Sequence, residues 1–191
     1  SGSYNIAVGS NALNSNTTAS NNTAVGYQSA YTNSTGTGLT AIGRFALYAN
    51  TTGSYNIAMG DGALGANTTA SNNTAVGYQA GYSNTTSQYC TFVGKSAGYG
   101  ATGTGNTSLG YATGYTSSTG SYNTYVGYGA GYADTSTTGY NTYVGLNAGG
   151  TITTGSKNTI LGGYNGNQGG LDIRTSSNYI VLSDGDGNPR G

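Results

Sequence analysis

Histidine, tryptophan and glutamate are absent from the 191 residues, and cysteine, proline and methionine occur once each. Without His or Glu, no Ser/His/Asp or Cys/His set can be assembled, so a nucleophile would lack its base and no enzyme is expected. Cys90 stands alone and can form no internal disulfide; a packing thiol is expected. Charged residues make up 5 % of the chain and balance to zero net charge. No basic stripe is available to neutralise phosphates, which argues against nucleic acid as a partner. No apolar run approaches the roughly 20 residues of a spanning helix, so membrane insertion is not expected. No glycine pair at phosphate-loop spacing is followed by Lys-Ser/Thr, and no cofactor is expected. The chain does not open with Met and closes on Pro189-Arg190-Gly191, so it reads as a piece of something longer.

What is present is a period. Asn-Thr-Ala-Val-Gly occurs at Asn22–Gly26 and again at Asn73–Gly77. Relaxed copies end on Gly9, Gly26, Gly43, Gly60, Gly77, Gly94, Gly110, Gly127, Gly145 and Gly162, at intervals of 16 to 18 residues and mostly 17. A fixed period of this length marks a stack of one repeated unit. Taking the residue before each glycine as position 0, that position is Val, Ile, Leu or Met throughout, and position −2 is Thr or Ile. On a strand these two share a face. A face that is β-branched and apolar in every repeat predicts a buried strand, with position −1 pointing the other way. Position −1 is Ala in the first five repeats and then Phe92, Ser108, Tyr125, Tyr143 and Ile160. As an outward residue it predicts a cross-section that thickens towards the C-terminus.

Position −3 is Asn in eight repeats, with Leu39 and Cys90 the exceptions, which predicts a ladder of side-chain amides or repeated amide-to-backbone bonds. After the glycine, Ala at position +4 and Tyr at position +6 suggest a second short strand before a polar corner such as Asn50-Thr51-Thr52-Gly53. Gly and β-branched residues without a 3.6-residue period exclude helix. The expected fold is therefore all-β: a parallel β-roll or β-solenoid of about ten 17-residue coils over residues 1–163, followed by a non-repetitive cap over 164–191. The cap should hold short strands at Leu171–Arg174 and Tyr179–Leu182. A thin roll rich in Gly and Ala buries little apolar surface, so a homotrimer is expected to supply the remaining burial. The alternative is a triple β-spiral, in which repeats run along a fibre without stacking as coils.

Asn-Thr-Ala-Val-Gly-Tyr-Gln-Ala-Gly, at Asn73–Gly81, resembles the head repeats of trimeric autotransporter adhesins. That resemblance implies a parallel β-roll and three chains about one axis. The sequence departs from that pattern in its longer period and in Thr at the first hydrophobic position. Leu171–Arg190 resembles the segment of bacteriophage tail-fibre proteins just upstream of a self-cleaving intramolecular chaperone. Together the two resemblances imply a structural or adhesive fibre segment, on a virion tail or as an extracellular, cell-surface fibre. A host-surface glycan or receptor would be its partner.

Three residue sets are candidates for contact. Position +2 holds Tyr27, Tyr78, Tyr111 and Tyr128 among Arg, Asp, Lys, Leu, Ser and Gly, a mixture that marks a solvated site where tyrosine can stack on sugar rings. The Thr column at position −2 would suit ice binding if it faced outward; with Ile6 and Ile57 in the same column, burial is expected instead. Asp184, Asp186 and Asn188 alternate as oxygen ligands do at the start of a calcium loop. Pro189 stands where Gly would follow and no Glu closes the loop, so a tight turn is expected and no metal.

Overall fold

The computed structural model describes residues 2–116 and 118–190. Eleven three-residue strands form one parallel sheet: β1 (Ile6–Val8), β2 (Thr23–Val25), β3 (Thr40–Ile42), β4 (Ile57–Met59), β5 (Thr74–Val76), β6 (Thr91–Val93), β7 (Thr107–Leu109), β8 (Thr124–Val126), β9 (Thr142–Val144), β10 (Thr159–Leu161) and, from the tail, β13 (Ile180–Leu182). Each strand pairs with its neighbour in the next coil, Ile6 with Thr23 and Val8 with Val25, and so along the stack. Contacts at this separation belong to coils stacked on one another, so the chain is a parallel β-solenoid and not a β-spiral. Ten steps of the usual 4.7–4.9 Å strand spacing make it about 48 Å long. No helix occurs among the described residues, and none is long and apolar enough to cross a membrane.

The strand's inside and outside are the reverse of the expectation. Ala24, Ala41, Ala58, Ala75, Phe92, Tyr143 and Ile160, all at position −1, are fully buried. The Thr and Val on either side are half-buried or exposed: Ile57 is 40 % exposed, Met59 39 % and Val93 38 %. A three-residue strand puts one side chain in and two out. In so narrow a coil the inner place goes to the residue the cavity can hold, while β-branched residues suit the outer surface of a pleated sheet.

The cross-section need not thicken either, because bulk at position −1 is exchanged against position +5. Where −1 is Ala, +5 is often leucine, as in Leu13, Leu47 and Leu64, the last two fully buried. Where −1 is aromatic, +5 is glycine: Gly98 opposite Phe92, Gly131 opposite Tyr125, Gly149 opposite Tyr143. A Cβ on Gly149 would lie 2.5 Å from Tyr143 Cδ2, one on Gly131 2.9 Å from Tyr125 Cδ1, and one on Gly98 would overlap Phe92 outright. The core keeps its volume by this trade, as close packing requires.

The predicted second strand is a turn. Residues at +3 and +5 are repeatedly left-handed, for example Gln28 and Ala30 (φ 53° and 48°) and Phe45 and Leu47 (φ 58° and 52°). Their N–H groups bond to neighbouring coils, Gln28 N donating to Ser10 O at 3.0 Å and Ala30 N to Ala46 O at 2.9 Å. The residues that looked like strand alternation, Ala at +4 and Tyr at +6, lie between and after these left-handed positions. The repeat glycine itself is required for approach: at Gly26 (φ 135°) a Cβ would lie 2.6 Å from Gly43 O in the next coil.

Two asparagine columns close the polar interior. At position −3 each carboxamide accepts the N–H of the next coil and donates to that coil's corner: Asn73 N donates to Asn56 Oδ1 at 3.0 Å, and Asn73 Nδ2 to Ser87 O at 2.9 Å. The ladder is thus amide-to-backbone, and it breaks at Leu39 and Cys90, which lack the carbonyl. The second column, at position +8, is a true amide ladder: Asn50 Nδ2 donates to Asn33 Oδ1 (2.9 Å) and Asn67 Nδ2 to Asn50 Oδ1 (2.7 Å). Such bonds satisfy most of the amide groups buried here, while Asn67 Oδ1 and Asn16 Oδ1 in the second column are left without a partner.

The tail stays within the stack. After β11 (Asn167–Gln168) and β12 (Leu171–Asp172) form a small antiparallel hairpin, β13 docks on β10, Thr159 pairing with Ile180. The expected strand at Leu171–Arg174 is therefore only its first two residues, and that at Tyr179–Leu182 begins one residue later. Tyr164, Ile173 and Val181 are buried beneath this turn, the Tyr164 hydroxyl lying 2.8 Å from both Gly166 O and Leu171 O and sharing its one proton between them.

Candidate functional site

Repeats place each surface residue type in a rank running along the solenoid, so the candidate surfaces are ranks. The first is the outer face of the parallel sheet. Thr23, Thr40, Thr74, Thr91, Thr107, Thr124, Thr142 and Thr159 lie on it in one rank, with Ile6 and Ile57 in its first and fourth coils, each Thr beside a Val, Ile or Leu. The sequence reading buried this face; the structure turns it to the surface. It carries no ionisable side chain along β1–β10.

The second is the +2 rank. Tyr27, Tyr78, Tyr111 and Tyr128 are exposed, at 47, 47, 44 and 57 %. They do not gather into one site. Tyr111 and Tyr128 stack with centroids 4.8 Å apart. Lys95 lies between Tyr78 and Tyr111, its Nζ 5.9 and 5.8 Å from the two ring centroids, a doubled cation–π contact. Tyr27 stands apart, edge-on to Phe45 at 5.5 Å. In the same rank Arg44 donates through Nε and Nη2 to Asp61 Oδ2 (3.0 and 2.8 Å), an exposed ion pair linking two coils.

Asp184, Asp186 and Asn188 form a turn. Asp184 Oδ1 accepts the N–H of Asp186 (3.1 Å) and of Asn188 (2.9 Å), while Arg190 binds Oδ2. These bonds hold the Asp184 carboxyl down to about 2. With both oxygens engaged by donors, nothing in the turn favours a cation, and no cluster of three His, Cys, Asp or Glu occurs among the described residues. Burial pushes the Cys90 thiol up, and Sγ donates to Gly103 O at 3.4 Å, a packing role.

Sequence reasoning missed one buried polar cluster. Asp134 occupies the +8 asparagine column, 1 % exposed. Its Oδ1 accepts Ser136 N (2.7 Å), and its Oδ2 accepts Asn141 Nδ2 (2.9 Å) and the Tyr125 hydroxyl. Desolvation raises the Asp134 carboxyl, its bonds to Ser136, Tyr125 and Asn141 opposing, and raises the Tyr125 phenol well above its usual range. The signal was an acid in a column of amides. It is sealed from solvent and can do no surface chemistry. No protein-family model, no curated protein and no solved structure matches the chain.

Proposed function

We propose that the chain is a rigid segment of an adhesive fibre, of the kind borne by bacteriophage tails or cell surfaces, in which three copies pack through their parallel-sheet faces. The observation that carries this is the outer sheet face: uncharged, running the full length of the stack, and studded with exposed Ile6, Val8, Ile57, Met59, Val93 and Leu161. A continuous apolar rank on a chain this poor in charge is the surface a partner covers. A second copy offers the same 4.7–4.9 Å spacing and therefore matching ridges. Analytical ultracentrifugation should give a trimer whose frictional ratio is that of a rod. A monodisperse monomer at micromolar concentration would overturn the assembly.

One observation favours a second reading. The Thr rank faces outward, so the ground for dismissing ice binding is gone. Thermal hysteresis with shaped ice crystals, abolished by Thr74→Tyr and Thr124→Tyr together, would support it and would require the sheet face to remain uncovered.

A further inference from the structure

Position +6 carries a second rank of tyrosines, and these stack face to face. Tyr31 and Tyr48 lie 5.5 Å apart with their planes 7° from parallel. Tyr82, Tyr99, Tyr115 and Tyr132 continue at 5.5, 5.2 and 5.2 Å, at 7°, 15° and 3°. One rung is missing. In the fourth coil this position is Gly65, and position +3 of the same coil is Gly62, where neighbouring coils carry Phe45 and Gln79. The two glycines floor a cleft of about 430 Å³ between Tyr48 and Phe45 on one side and Tyr82 and Gln79 on the other.

We infer that this vacant rung is a binding slot for one pyranose ring of a glycan, held between the faces of Tyr48 and Tyr82. The spacing supports it: two rungs at the solenoid rise leave about 10 Å between the flanking tyrosines. A ring midway would sit about 5 Å from each, within the usual stacking range. The rim selects a hydroxylated ring over a bare aromatic one. Arg44 and Asp61 border the cleft, and their ion pair uses only Asp61 Oδ2, leaving Asp61 Oδ1 as an acceptor and Arg44 Nη1 as a donor. The Gln28 and Gln79 carboxamides line the same cleft and can each donate and accept. Adjacent sugar hydroxyls need this alternation. The inference extends the adhesive part of the proposed function, adding a defined site to the fibre.

Gly65 also supplies the test. A Cβ there would lie 3.0 Å from Tyr82 Cε2 and 3.1 Å from Gly62 O, contacts that shifts of a few tenths of an ångström relieve, so Gly65→Tyr completes the ladder and fills the slot. The probes are methyl pyranosides of glucose, galactose and mannose, with adenosine as a flat aromatic, read by saturation-transfer NMR at millimolar concentration. At least one pyranoside should receive saturation at its ring C–H protons. That signal should vanish in Gly65→Tyr, whose melting temperature stays at or above the wild-type value. Affinity should fall up to about tenfold in Tyr82→Ala, one stacking face being removed, and be unchanged in Tyr115→Ala. Saturation of adenosine alone, of no probe, or of a pyranoside equally in wild type and Gly65→Tyr would overturn the slot. Each of those outcomes leaves the rod and its assembly, measured by sedimentation, standing or falling separately.

Discussion

Phe92 and Gly98 offer a direct test of how the core keeps its volume. In the sixth coil the strand centre is Phe92 and position +5 is Gly98; two coils earlier the same places hold Ala58 and Leu64. Both Phe92 and Leu64 are fully buried. Phe92→Ala should cost about 3–5 kcal/mol, because the facing glycines Gly81 and Gly98 have no side chains with which to collapse into the space. Gly98→Leu alone drives a Cβ into the Phe92 ring and should cost about 1–3 kcal/mol or more. If the two were independent, the pair would lose about 4–8 kcal/mol, enough to unfold most domains. The double variant instead recreates the Ala58/Leu64 coil, in which Leu64 sits at φ 48°, close to the 60° of Gly98. Its cost should be about 1–2 kcal/mol, the penalty of a left-handed leucine in place of glycine. Urea titrations of all four proteins, followed by far-ultraviolet circular dichroism, measure the coupling directly. A double variant as unstable as the sum of the singles would refute volume exchange as the rule of this core.

The reversal of the strand's faces separates two neighbouring substitutions. Ala75→Asp places an unpaired charge in a fully buried site and should abolish folding, whereas Val76→Asp should change the melting temperature of the single chain by a few degrees and instead dissociate the proposed trimer, by thermal scans and sedimentation on both. Asp134 sets a pH slope. Its carboxyl is raised in the folded chain, so the folded state holds a proton more tightly than the unfolded one, and its contribution to stability is full below the ordinary value of 3.8 and declines as pH rises through the raised value. Asp184, held down to about 2, acts oppositely, its contribution being present above the ordinary value and lost as pH falls towards 2. Melting temperature should therefore peak near pH 4. Asp134→Asn should flatten the fall above pH 4 while lowering stability, because one amide oxygen cannot accept from both Ser136 N and the Asn141 and Tyr125 donors; an unchanged slope in that variant would remove Asp134 as its source.

The stacking period was legible because glycine recurs at a place no other residue can occupy, Gly26 and its counterparts lying against the next coil's backbone. The strand positions followed at once, and so did the exposure of Tyr27, Tyr78, Tyr111 and Tyr128. What misled was the rule that β-branched residues mark the core. In a coil this narrow the strand centre is often only Ala and much of the interior is Asn and Gly, which ordinarily signal loops, and Val76 or Thr74 cannot be told from core residues by alternation over three positions. The turn after each glycine was misread for the same reason, since left-handed Gln28 and Phe45 carry no sequence mark of their backbone. The slot at Gly65 was present in the sequence as an interrupted tyrosine column. Only the stacking distances make the interruption a space.

Each coil hydrogen-bonds almost solely to the coil before and the coil after, and this gives the molecule a mechanical character. Pulled by its two ends, such a stack is peeled and not sheared, since one coil can detach without disturbing the rest. Every detached 17-residue turn, extending to at most about 3.5 Å per residue, would lengthen the chain by roughly 55 Å. The rungs are not equal: the coils spanning Asn33, Asn50 and Asn67 are tied by the amide ladder, while Leu39 and Cys90 interrupt the other column. Under tension the protein would lengthen in steps of one coil, a series of weak sacrificial links in front of a stiffer remainder.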